Sequence, residues 1–95
     1  MNDDLNRPTK WVVEYTQSAR EEINDLDGST KRFIKRAIEE KLMMNPLKFG
    51  VPLRRNLSGF FKLRVGDYRI IYQIHNREVL VLVIKVGHRK KVYQS

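Results

Sequence analysis

Phe60-Phe61-Lys62-Leu63-Arg64-Val65-Gly66-Asp67-Tyr68-Arg69-Ile70-Ile71-Tyr72-Gln73-Ile74 reads as a β-hairpin. Two runs of aromatic, aliphatic and β-branched residues flank Gly66-Asp67, and a two-residue turn of that kind joins antiparallel strands. A third run, residues 79–86, follows His75-Asn76-Arg77, so the spacing predicts a three-stranded antiparallel meander. Side chains alternate between the two sides of a strand. Phe61, Leu63 and Val65 therefore share one face, with Phe60, Lys62 and Arg64 on the other. The next strand divides into Tyr68, Ile70, Tyr72 and Ile74 against Arg69, Ile71 and Gln73. Simple alternation splits the last into Leu80, Leu82, Ile84 and Val86 against Val79, Val81, Val83 and Lys85. If helices cover the wholly apolar faces, Lys62, Arg64, Arg69 and Lys85 emerge together on the open one.

Upstream, Trp11-Val12-Val13-Glu14-Tyr15 is a β-prone run and predicts a first strand. Ser18 with Glu21 fits a capping box, and Ala19, Ile23 and Leu26 recur at helical spacing up to Asp27-Gly28. A second helix is expected over residues 30–44, where Phe33, Ile34, Ala37, Ile38, Lys41 and Leu42 place an apolar stripe beside a charged face. Asn45-Pro46 stops it, and residues 45–59 read as a loop. The expectation is an α+β fold: an N-terminal strand, a two-helix hairpin, then the meander, with the helices on one face of a single sheet. A DNA-reading helix-turn-helix is the competing interpretation of the helix pair. Its first helix is acidic through Glu21, Glu22 and Asp25, which suits a solvated hairpin lying on a sheet better.

A chain of 95 residues, 41% of them hydrophobic and 32% charged, is expected to pack as one globular domain over residues 1–95, with 1–9 a flexible N-terminal extension. There is no cysteine, so disulfide, thiolate-metal and thiol chemistry are excluded. The first residues lack the apolar core of a signal peptide, and no stretch approaches membrane-spanning length, so a cytoplasmic location is expected. The net charge of +8 is unevenly placed. Residues 1–48 hold nine Lys/Arg against nine Asp/Glu, whereas residues 49–95 hold ten against two. A cationic half points to a polyanionic partner such as nucleic acid. Gly87-His88-Arg89-Lys90-Lys91-Val92-Tyr93 adds a basic cluster beside an aromatic residue, a combination suited to phosphates and unpaired bases. Tyr93 pinning the C-terminus to the sheet is the structural alternative.

Leu57-Ser58-Gly59, the Lys62-Leu63-Arg64-Val65-Gly66-Asp67-Tyr68-Arg69 run with Ile70-Ile71-Tyr72, Val86-Gly87-His88-Arg89 and Val92-Tyr93 together resemble the RelE branch of the RelE/ParE superfamily of toxin–antitoxin toxins. The preceding strand and helix pair match the same layout. The resemblance implies a ribosome-dependent messenger-RNA endonuclease that is inhibited by a cognate, RelB-like antitoxin with an acidic amphipathic segment. Its partners would be that antitoxin, the ribosome and the A-site message, with no membrane, metal or cofactor. Carried over, the resemblance assigns catalysis to Lys62, Arg69, Arg89 and Tyr93. Arg64, Lys85, His88, Lys90 and Lys91 are the expected substrate contacts. The 2′-hydroxyl of the substrate would attack the adjacent phosphate, leaving a cyclic or 3′-phosphate end and a 5′-hydroxyl.

Such a reaction needs a proton acceptor, stabilisation of phosphorane charge and a donor to the leaving oxygen. Lys62 is the candidate base, since neighbouring cations favour the neutral form of an amine. Arg69 would hold the phosphate and Arg89 the developing charge, while Tyr93 stacks on a base. One departure matters: some family members carry a lysine two residues before Lys62, where this chain has Phe60. The base role given to that lysine does not transfer, and His88 is considered as a substitute. Two other functions stay open. One is the ParE-like branch, which acts on DNA gyrase; the other is a non-catalytic nucleic-acid-binding module. For the antitoxin, Val79, Val81, Val83 and Ile71 among the cations are the expected docking surface.

Overall fold

The computed structural model describes residues 10–53 and 59–88. The elements run β1 (Val12–Tyr15), α1 (Gln17–Asn24), α2 (Gly28–Ala37), a wider helical turn (Ile38–Leu42), α3 (Pro46–Phe49), β2 (Val51–Pro52), β3 (Phe60–Val65), β4 (Tyr68–His75), a 3-10 turn (Asn76–Glu78) and β5 (Leu80–His88). They form the expected α+β arrangement. The predicted meander is β3-β4-β5, but the sheet has five strands in the order β1-β5-β4-β3-β2. β1 pairs in parallel with β5, and all other pairings are antiparallel. Because β1 and β2 occupy opposite edges, the helices between them have to cross the sheet, and they do so on one side. Ala19, Ile34, Ala37, Ile38 and Leu42 come from that side and pack with Leu63, Val65, Ile70, Tyr72, Val81, Val83 and Val86.

The helix ends differ from the sequence expectation for identifiable reasons. Thr16, not Ser18, caps α1: its amide continues the β1–β5 ladder to Val83 O at 3.0 Å, which holds it extended. The Thr16 hydroxyl then accepts from Ala19 N at 3.1 Å and donates to Ile84 O at 3.1 Å. Asp27 caps α2, accepting from Thr30 N at 2.7 Å, and this bond holds its carboxyl below the usual range. The single helix expected over residues 30–44 is α2 plus the wider turn, in which Met43 N reaches back to Ile38 O at 2.9 Å. Asn45-Pro46 ends that helix and also starts α3, because Asn45 Oδ1 accepts from Lys48 N and Pro46 has no amide to leave unpaired.

α3 is tied down from the sheet. Fully buried Tyr72 donates its hydroxyl to Pro46 O at 2.7 Å, and burial pushes its phenol up to about 12. Gly50 makes this possible: a Cβ there would fall on Tyr72 Oη and lie 2.7 Å from Cζ. Phe61 stacks on the same ring at 5.7 Å.

The expected division of β3 and β4 is observed. Gly66, at φ 62, opens a two-residue turn that fixes Val65 opposite Tyr68 and every later pair in step. β5 departs from simple alternation. Ile71 faces Lys85 while Tyr72 faces Val83, so Ile84 is an extra residue without a partner, a β-bulge. Past it the parity of β5 inverts. Val81 and Val83 join Val86 in the core at 0, 0 and 1% exposure, while the register puts Leu80 and Leu82 on the side away from the helices. The expected antitoxin surface is corrected accordingly: Val81 and Val83 are core residues, and the apolar groups on the open side are Phe60, Ile71, Leu80 and Leu82. Among the described residues, no helix is long and apolar enough to cross a membrane.

Candidate active site

Three of the expected site residues come together through the β3–β4 register. Arg64 stands directly opposite Arg69, and Lys62, two positions along β3, stands opposite Ile71. All three therefore sit on the helix-free face. Directly opposed like charges disfavour a sheet, so packing does not account for the Arg64–Arg69 pair. Arg69 steadies its guanidinium by donating from Nη1 to Tyr68 O at 3.1 Å.

The three residues line a cleft of about 340 Å³ at the outer edge of β3. β2 is only two residues long and pairs with Phe61 and Lys62, so among the described residues no strand pairs with β3 beyond Lys62 on that edge. Lys41, Phe49 and Val51 complete the cleft with Leu63 at its base. Among the described residues its lining has four cations and no carboxylate. Phe49 and Val51 are 39% and 55% exposed, and Lys48 Nζ lies 5.5 Å from the Phe49 ring centroid. Such a lining can hold a phosphate and offer an aromatic face beside it. Phe49 and Val51 escape the sequence reading because residues 45–59 read as loop, and Lys41 because it reads as one more position of the helix over residues 30–44. Proline as the first residue of a new helical turn was the available signal.

Two expected contacts lie elsewhere. The register puts Lys85 in line with Ile71 and Lys62, yet its ammonium is bound to Glu22 of α1 at 3.0 Å. The same carboxylate accepts from Val86 N at 2.8 Å, on the part of β5 that β1 does not reach. Lys85 thus secures α1 to the sheet edge rather than joining the other cations. His88 pairs with Tyr68, on the opposite face from Arg69, and meets that ring edge-on at 5.7 Å. The pair lines a second groove with Glu22, Asp25 and Leu26. Arg89, Lys90, Lys91 and Tyr93, like residues 1–9 and Leu57-Ser58, lie outside the described residues.

The family described as the ParE toxin of the type II toxin–antitoxin system parDE matches residues 13–93. This chain belongs to the RelE/ParE superfamily of type II toxins. The toxin is 32% identical to Toxin RelG of Mycobacterium tuberculosis (strain ATCC 25618 / H37Rv) over 84 residues, 88% of this chain and 97% of that protein. Its fold superposes on the toxin–antitoxin complex RelBE2 from Mycobacterium tuberculosis with a TM-score of 0.82 and 31% identity, covering 87% of this chain and 95% of that one. The intact Escherichia coli RelBE toxin–antitoxin complex gives 0.66 and 25% identity, over 82% and 95%. The RelE-type toxin assignment thus rests on sequence and on fold together.

Proposed function

We propose that this toxin is a ribosome-dependent messenger-RNA endonuclease acting in the cytoplasm, and that a RelB-like antitoxin restrains it. The supporting observation is the gathering of Lys62, Arg64 and Arg69 on the helix-free face around one cleft. In this reading the 2′-hydroxyl oxygen of a nucleotide attacks its own 3′-phosphorus. The bond to the 5′-oxygen of the next nucleotide breaks, giving a 2′,3′-cyclic phosphate and, as that oxygen takes a proton from water, a 5′-hydroxyl. Lys62 takes the 2′-proton when neutral, and Arg69 holds the non-bridging oxygens as charge grows on them. Arg89 stabilises the same charge and Tyr93 positions a base. Arg64, Lys90 and Lys91 contact the flanking phosphates. Phe60 leaves β3 with one lysine where some relatives have two, so alignment of the message by the ribosome carries more of the work.

Translation in a purified system with mapped message ends tests this reading. Scission at ribosome-occupied codons is expected, and Arg69→Ala should slow it roughly 100-fold or more with the melting temperature unchanged. Intact message supports a different action. The ParE description of the matching family keeps one such action in view, and relief of growth arrest by a gyrase variant would identify it.

A further inference from the structure

The cation cleft has an aromatic wall that the proposed chemistry does not use. Phe49 ends α3, and Val51 stands directly opposite Lys62 in the β2–β3 pairing, on the same side of the sheet. Both border the cleft that Lys62, Arg64 and Arg69 line. Phe49 has an independent reason for being where it is. The Tyr72 hydroxyl clamps Pro46 O three residues earlier, and Gly50 gives the chain room to turn over that ring. An exposed phenyl ring on a clamped turn beside three cations is positioned for a flat, unpaired base whose phosphate those cations hold.

We propose that Phe49 is a specificity-determining residue: its ring, with Val51 beside it, receives the nucleobase adjoining the phosphate at Lys62, Arg64 and Arg69. This rests on the RNA-cleaving reading above. The ring beside the cations, rather than charge, favours RNA over an acidic protein segment as the occupant. A phosphodiester brings anion and base at a fixed short separation, matching a lining where cations and ring share one cleft of about 340 Å³, within the usual range for ligand sites. Every base has a face to stack, and bases differ in how strongly they do so, so the ring would bias which nucleotide is accepted.

The test compares wild type, Phe49→Ala and Phe49→Trp in the purified translation system, mapping cut sites across a message containing all codons. Phe49→Ala should lower cutting about ten- to a hundredfold at the preferred codons and flatten the preference at one codon position. Phe49→Trp should restore both. An unchanged map for Phe49→Ala, or a uniform loss at every codon that Phe49→Trp does not rescue, overturns the proposal while leaving the endonuclease reading in place. An unchanged map with weakened capture of the cognate antitoxin also overturns it, and assigns the ring to a protein contact. If wild type itself cuts no message, the endonuclease reading falls and this inference with it.

Discussion

Arg64 and Arg69 face one another across β3 and β4, and each loses stability by the other's presence. Replacing Arg64 by threonine should therefore raise the unfolding free energy by about 0.2–1 kcal/mol in urea titrations while weakening the binding of single-stranded RNA. A rise in both, or a fall in both, would separate this pair from RNA binding. Tyr72 is the opposite case, a side chain whose polar end is needed for the fold. Tyr72→Phe leaves Pro46 O buried without its donor and should cost about 1–3 kcal/mol. Its phenol is pushed up to about 12, above the ordinary value near 10. The unfolded chain therefore loses this proton first. The stabilisation is complete below pH 10 and fades as pH rises from 10 toward 12, by roughly 3 kcal/mol in all. Urea unfolding at pH 9 and pH 11 should show that decline in wild type and a smaller one in Tyr72→Phe.

Among the elements, α1 depends on one carboxylate for its attachment to the end of β5. Glu22 receives both Lys85 Nζ and Val86 N. Glu22→Ala should destabilise by about 1–2 kcal/mol, while Glu22→Gln, which still accepts from the amide, should recover much of the loss; thermal melts distinguish them. This tie was not readable from the chain, because Glu22 and Lys85 are 63 residues apart and each looks like an ordinary surface charge. The β3–β4 faces were readable. A two-residue turn leaves a single register, so counting from Gly66 assigns Lys62, Arg64 and Arg69 to one side. β5 defeats the same counting. Residues 80–84 are apolar at every position, so neither face is marked by polarity, and nothing in Ile84 announces the bulge that reverses parity. The cleft was half legible for a related reason: three of its four cations lie in a regular hairpin, whereas Lys41 comes from the distant helical turn, and Phe49 and Val51 lie in elements of four and two residues, too short for any periodicity.

At the scale of the molecule, the uneven charge and the topology act together. The acidic groups are concentrated in the helical half, and the excess of cations is carried by the half that contains the sheet hairpin. Binding of single-stranded RNA should therefore be strongly salt-dependent. If Lys62, Arg64 and Arg69 each meet a phosphate, they contribute about −2 to the slope of log affinity against log salt, and a triple alanine variant should lose that share in fluorescence anisotropy titrations. The parallel contact between β1 and β5 has a separate effect on how the protein comes into being. It joins partners as far as 68 residues apart, Thr16 to Ile84, so the outermost strand waits for its neighbour until β5 has been synthesised. A nascent or prematurely terminated chain carries the arginines and lysines without the scaffold that arrays them. A transcript severed ahead of the codons for β5 then encodes a chain in which β1 has no strand to join.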